Sequence, residues 1–137
     1  MTQPPSVDDA ELSAALLDQL EVGLCVYDAE DRVVRWNATY LAFFPEQAGV
    51  LGPGVPYAAT LRRFFASNLP PSELPNLERH VAAGVIRHRS QRVPFVFQRK
   101  SGRWLKVVSL PTPDGGRIRM WRDVTAEHGV DGLPKAA

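Results

Sequence analysis

Three features that carry many protein functions are scarce or missing in this sequence. There is one cysteine in 137 residues, Cys25, which excludes an internal disulfide and any CxxC metal or redox motif. Sixteen basic and fifteen acidic side chains leave a formal net charge of +1, so no field that would steer nucleic acid is implied. No apolar run approaches the roughly 18 residues that span a bilayer, and the first nine residues are too polar for a secretory signal. We therefore expect a cytoplasmic protein without membrane insertion and without a nucleic-acid partner.

Catalytic and metal-binding patterns are also missing from the sequence. The three histidines, His80, His88 and His128, do not have metal-ligand spacing. No pairing of Ser or Cys with His is suggested, and the glycines of residues 52–54 lack the Lys-Ser/Thr ending of a phosphate loop. The sequence therefore predicts no metal site, and it predicts that the protein is not an enzyme.

The length and the hydrophobic content of 45% suit one soluble domain with one core. Residues 1–6 should be a disordered tail. Ser6 and Asp9 have the spacing of a capping box, and leucines at helical spacing predict an amphipathic helix over residues 7–20. The main domain should cover residues 21–127, and residues 128–137 hold too few apolar side chains to order themselves.

Within the main domain, alternating patterns predict strands and helical periodicity predicts short helices. The predicted strands are residues 22–27, 32–36, a run from residue 92, 104–110 and 117–125. The predicted helices are residues 38–44, 57–68 and 74–88. Two strands, several short helices and three strands in this order indicate an α+β fold with a five-stranded antiparallel sheet and helices on one face.

Three segments in this order and spacing resemble those of PAS domains, the sensory fold of many bacterial signalling proteins. They are GLCVYDAEDRVVRWN at residues 23–37, SGRWLKV at 101–107 and PDGGRIRMWRDVT at 113–125. The resemblance covers about residues 17–127. It implies a sensory and protein-interaction module of two-component or related signal transduction, which binds a small ligand or a partner rather than catalysing a reaction.

The resemblance also implies roles for particular residues. Asp123 and Thr125 match the family's D-x-T ending, which joins the last strand to an output segment, so they are the candidates for signal relay. Asn37 should cap the helix that follows it, and Cys25 should be a small core residue. Apolar side chains facing the helices would enclose the ligand. The cavity candidates are Val26, Trp36, Leu41, Phe44, Leu61, Phe65, Val81 and Val85.

A stripe of leucines on the N-terminal helix indicates a second interaction surface. The strands carry apolar residues on both faces, which a sheet covered on one side would not need. We therefore expect the helix to lie across the outer face and to pair with a second copy of the chain. The predicted dimer contacts, called the leucine stripe below, are Leu12, Leu16 and Leu20.

Two other functions stay open on the sequence alone, and the cofactor stays unknown. Haem-binding PAS sensors use a histidine from the long helix, so His80 is a possible haem ligand. A small enzyme on a conical α+β scaffold would need a buried Asp–His or Tyr–Asp pair, for which Tyr27–Asp28 and Tyr57 are the candidates.

Basic residues between positions 87 and 103 form no recognised DNA-binding pattern and are interpreted as a solvated rim. The signal would pass to a separate signalling protein or to an output domain fused to this chain.

Overall fold

The computed structural model describes residues 9–130, which form five α-helices, five strands and two short 3₁₀ helices. The strands are β1 Val22–Tyr27, β2 Val33–Trp36, β3 Phe95–Gln98, β4 Trp104–Pro111 and β5 Arg117–Asp123. The α-helices are α1 Asp9–Gln19, α2 Ala38–Phe43, α3 Tyr57–Asn68, α4 Leu77–Ser90 and α5 Thr125–Val130. The 3₁₀ helices are Pro45–Gln47 and Pro71–Asn76. The predicted tail of residues 1–6 and the start of the predicted helix at 7–8 lie outside the described residues.

The five strands form one antiparallel sheet in the order β2-β1-β5-β4-β3, which confirms the predicted α+β fold. The first and last strands of the main domain thus meet at the centre of the sheet. Cys25 pairs with Arg119, and Arg119 pairs with Ser109. Because paired residues of antiparallel strands share a face, these three side chains lie on the same, inner face. All three are buried.

The core lies between the inner face and the helices α2, α3 and α4. Cys25, Val107 and Leu105 are at most 1% exposed and belong to the same cluster as Tyr40 and Leu61. The helices approach each other closely at Gly84 of α4. A β-carbon added there would collide with the side chain of Leu61 on α3, so the absence of a side chain at this position permits the packing.

Several element boundaries differ from the predicted ones, and proline or local hydrogen bonding explains each difference. The predicted helix from residue 74 starts only at Leu77, because Pro75 lies in a 3₁₀ helix that precedes it. The last strand ends at Asp123, where the Asp123 carboxylate accepts a hydrogen bond from the Thr125 N–H and α5 begins. Helix α5 then continues to Val130, so it covers the first residues of the predicted tail.

Helix α1 is attached to the start of α2 and to β1. The Asp18 carboxylate accepts hydrogen bonds from the backbone N–H and hydroxyl of Thr39, at 2.9 and 2.7 Å. The leucine stripe is not covered within this chain, because its three members are 47–69% exposed, and its role in a dimer stays a prediction. The helix instead turns Leu17 and Asp18 toward its own domain, where both are half-buried.

None of the helices in residues 9–130 is long and apolar enough to cross a membrane.

Candidate ligand cavity

A cavity of about 260 Å³ lies between the inner face of the sheet and the helices. The strands β3, β4 and β5 supply one side, and α2, α3 and α4 supply the other. Half of the lining side chains are Phe, Tyr or Trp. The lining residues are Tyr40, Phe44, Gln47, Tyr57, Thr60, Leu61, Phe64, Phe65, Gly84, Arg87, His88, Phe95, Phe97, Val107, Arg119 and Trp121.

Three of the eight cavity residues proposed from the sequence lie on this wall, namely Phe44, Leu61 and Phe65. Four others lie elsewhere in or around the core. Val81 is buried in the core cluster, Trp36 and Val85 pack against that cluster, and Leu41 is half-buried on α2. Val26 pairs with Ile118 on the face of the sheet opposite to Cys25, because neighbouring residues of a strand point to opposite faces. It therefore points away from the cavity.

The apolar side of the cavity is a set of mutually packed aromatic rings. The ring of Phe44 lies 5.5 Å from that of Trp121 and 6.0 Å from that of Phe64, both near edge-to-face. The guanidinium of Arg99 lies 5.2 Å from the rings of Phe44 and Phe64 and pairs with the Glu46 carboxylate at 2.8 Å. Such contacts fix ring orientation, so this side of the cavity is shaped before any ligand enters.

The other side is polar and is built around Arg119, which is only 5% exposed. Its Nη2 donates to Gln91 Oε1 at 2.6 Å, and its Nη1 lies 3.4 Å from the Tyr57 hydroxyl. The Arg119 Nε is buried without a hydrogen-bond partner. Among residues 9–130, no carboxylate forms an ion pair with Arg119. Arg119, Gln91, Tyr57 and His88 are called the polar edge below.

His88 reaches the polar edge from α4. Its ring stacks on Tyr57 at 3.8 Å between centroids, and its Nε2 lies 3.1 Å from Asp31 Oδ1. Burial, and next the positive charge of Arg119, lower the pKa of His88 to about 4. The imidazole is therefore neutral at pH 7, with Nε2–H donating to the Asp31 carboxylate. The second ring nitrogen, Nδ1, is buried without a partner.

Asp31 is held in place from two sides. It lies in the turn between β1 and β2 with φ of +60°, a conformation that aspartate tolerates better than most residues. Its backbone carbonyl accepts from the Tyr57 N–H at 2.7 Å, and its carboxylate also accepts from Arg89 Nε at 2.7 Å. The β1–β2 turn is thus tied to both α3 and α4 beside the cavity.

Sequence reasoning missed the polar edge. The arginines beside His88 suggested a solvated helix end, yet Arg87 and Arg89 are exposed while His88 is buried. Neighbours on a helix differ in direction by about 100°, so flanking charges do not indicate where a side chain points. The spacing of Val81, Gly84 and His88, three and four residues apart, was the signal that could have placed His88 on the buried face.

A haem ligated through His80 does not fit this arrangement. The His80 side chain is 35% exposed, its Nε2 bonds Glu73 Oε1 at 2.8 Å, and it is not part of the cavity wall. The cavity is smaller than the roughly 300–1,000 Å³ of drug-sized sites, and a haem is larger than such ligands.

The enzyme alternative required a buried acid–base pair, and Asp31–His88 is one that the sequence did not suggest. In the described part of the chain, however, neither His88 nitrogen bonds a serine, threonine or cysteine side chain. The predicted candidate Asp28 instead accepts from the backbone N–H of Glu30 and Arg32 in the turn. Residues 9–130 also contain no group of three or more metal-ligating side chains. Within residues 9–130, the pair connects the β1–β2 hairpin to α4.

The D-x-T segment joins three elements at the far end of β5. The Arg103 guanidinium pairs with the Asp123 carboxylate at 2.6 Å. The Thr125 hydroxyl oxygen accepts from the backbone N–H of Trp104 at 2.8 Å, and the ring of Trp104 packs on that of His128 at 4.0 Å. The start of α5 is therefore bonded to the start of β4.

The basic cluster of residues 87–103 is divided among separate contacts. Arg89 pairs with Asp31, Arg99 with Glu46 and Arg103 with Asp123. Lys100 donates to the backbone carbonyl of Ser67. These side chains therefore form no single cationic stripe, and the absence of a nucleic-acid partner stays a prediction.

Comparison with known proteins places this geometry in a family. The family model described as "PAS fold" matches residues 17–131. The PAS domain of BvgS from Bordetella pertussis is 20% identical with a TM-score of 0.50, over 85% of this chain and 87% of that one. A domain of a sensory box sensor histidine kinase/response regulator from Geobacter sulfurreducens is 17% identical with a TM-score of 0.45, over 83% and 93%. No curated protein matches the chain.

Proposed function

Because this chain belongs to the PAS family, we propose that it is a non-catalytic sensory module that binds a small ligand and relays the binding to a signalling partner or a fused output domain. Membership of the PAS family supports a signalling role of this kind. A cytoplasmic location and a place in a two-component pathway are parts of the same proposal.

The observation that carries the proposal is the cavity itself. It is concave, half of its lining side chains are aromatic, and a few polar groups converge at one edge, which is the composition of a small-molecule site. The cavity separates the sheet from α3 and α4, so a ligand would contact both layers. Its size favours a ligand of one or two rings at most.

The relay would work by a shift between two arrangements of the sheet and its flanking segments. The cavity wall and the D-x-T segment share strands, since β5 carries Arg119 and Trp121 at the cavity and Asp123 at its end. A ligand that moves β5 against β4 would therefore alter the contact of Thr125 with Trp104. Helix α5 would pass this change on.

Dimer formation through α1 is the second half of the relay. The leucine stripe is exposed although leucine side chains contribute most when buried, and its members follow at intervals of four residues along α1 and the residue after its end. A second copy of the chain would cover the same stripe on both partners. Ligand-dependent changes could then reach the dimer contacts through α2, which α1 contacts at Thr39.

Native mass spectrometry of the purified protein tests the ligand part of the proposal. We expect a mass above that of the 15.2 kDa chain, which disappears on denaturation because the ligand is not covalently held. The control is the Val107→Phe variant, in which the larger side chain fills the cavity and should exclude the ligand. A native mass without addition, in protein purified from several growth conditions, would contradict ligand binding and leave a partner-binding module.

A further inference from the structure

We propose that the cavity binds a small aromatic carboxylate, with Arg119 as the residue that recognises its negative charge. This inference rests on the proposed ligand-binding function and narrows it to one chemical class. It starts from a cation that is buried beside the cavity and has no anion among the described residues.

An arginine stays charged inside a protein, and an unpaired buried charge costs free energy. Arg119 offers five N–H donors, of which Gln91 Oε1 and the Tyr57 hydroxyl accept two. The guanidinium also lies 5.5 Å from the ring of Trp121 and 6.0 Å from that of Tyr57. These neutral contacts orient the side chain but leave its charge without a counterion.

The carboxylate of Asp31, which bonds His88 of the polar edge, is engaged elsewhere. The Asp31 carboxylate lies behind His88 and bonds both His88 Nε2 and Arg89 Nε. A second cation, Arg87, is exposed at the cavity wall. The charges around the cavity are therefore positive on balance, which favours an anion over a neutral or cationic ligand.

The apolar part of the cavity wall indicates which chemical group carries the carboxylate. Opposite the polar edge, the wall consists of rings such as Phe44, Phe95 and Phe97. A flat aromatic ring can pack against these rings while a carboxylate reaches the guanidinium, whose planar donors match two carboxylate oxygens. The unpartnered Nδ1 of neutral His88 could accept a hydrogen bond from a hydroxyl or N–H on the same ligand.

Isothermal titration calorimetry with pairs of probes tests the inference. The probes are benzoate and phenylacetate, each compared with its neutral amide, benzamide and phenylacetamide, at constant ionic strength set with sodium chloride. Each pair has nearly the same shape, so the comparison isolates the charge. We expect the carboxylate of at least one pair to bind about tenfold or more tightly than its amide, as a charge-assisted hydrogen bond provides.

The Arg119→Met variant should lose this preference. Methionine keeps much of the length and removes the buried charge, so the variant should fold, and Arg119→Gln is the second choice. Arg62→Met is the matched control, because Arg62 is exposed and pairs with Glu78 on the surface. It should keep the preference for the carboxylate.

Three results would overturn the inference. They are equal binding of carboxylate and amide, an unchanged preference in both Arg119 variants, and no binding of any probe. Equal binding would leave the proposed sensory function intact with a neutral ligand. The native mass of the purified protein decides that function independently of these probes.

Discussion

Asn37 is a single buried side chain that links three elements. Its Oδ1 accepts from the backbone N–H of Tyr40, as a helix cap should, and also from the N–H of Leu24 on β1 at 2.8 Å. Its Nδ2 donates to the carbonyl of Val22 at 2.8 Å and lies 3.5 Å from that of Ala14 on α1. The sequence predicted only the cap, because the other partners are separated from Asn37 by 13 to 23 positions.

We therefore predict that Asn37→Ala lowers the free energy of unfolding by about 3 kcal/mol or more, since a lost cap costs about 1 kcal/mol and each unpaired buried backbone group a further 1–3 kcal/mol. Urea denaturation of purified protein measures the change. Asn37→Asp keeps the acceptor and loses the donor, so it should give an intermediate loss. A loss of 1 kcal/mol or less in Asn37→Ala would mean that only the cap contributes.

His88 should make stability depend on pH in a defined window. Its pKa is about 4 in the folded protein, against an ordinary value of 6.5, so between these values the unfolded chain binds more protons. His88 alone should therefore lower the free energy of unfolding by about 3 kcal/mol as the pH falls from 6.5 to 4. Above pH 6.5 this contribution to the pH dependence vanishes.

The His88→Gln variant checks the origin of this slope. It should flatten the pH dependence of the urea midpoint between pH 4 and 6.5, because glutamine does not titrate. His80→Gln is the matched control, because it replaces another histidine of α4 and leaves His88 in place, so the slope caused by His88 should remain. An equal slope in wild type and His88→Gln would show that another group causes the pH dependence.

At the scale of elements, local sequence patterns predicted where most helices and strands lie. The same patterns did not predict which elements contact each other. Helix α3 begins and ends where periodicity placed it, at Tyr57 and Asn68, because its signals are contained within one segment. The polar edge is different, since Arg119 meets residues 28 and 62 positions away. Such meetings depend on strand register and helix rotation, which one sequence does not encode in a local pattern.

The junction between β5 and α5 provides a prediction at this scale. Replacing Thr125 by Val keeps the shape and removes the oxygen that accepts the Trp104 N–H at 2.8 Å. We expect a loss of about 1–2 kcal/mol in the free energy of unfolding and faster hydrogen exchange in α5 and at the start of β4. Thr112→Val, in the turn at the other end of β4 and β5, is the matched control. Unchanged exchange in α5 would show that Thr125 does not hold the exit of the chain.

At the scale of the whole molecule, one chain leaves its N-terminal helix only partly packed. Asp18 and Leu17 attach α1 to the domain, while the leucine stripe remains exposed. A monomer would gain nothing from this apolar stripe, which would lower its solubility. A symmetric dimer would bury the stripe on both copies of the chain.

We predict that the wild-type protein is a dimer and that replacing all three residues of the leucine stripe by Gln makes it a monomer. Glutamine forms helices well, and the stripe contributes little to its own domain, so the cooperative unfolding transition should stay. Light scattering coupled to gel filtration measures the mass, which should fall from twice 15.2 kDa to 15.2 kDa.

Glutamine at the equally exposed positions Leu74, Ile86 and Val93 is the control and should leave the dimer intact. A dimer that survives the triple substitution of the stripe would place the contact elsewhere, and the apolar outer face of the sheet around Val26 and Ile118 would be the next surface to change.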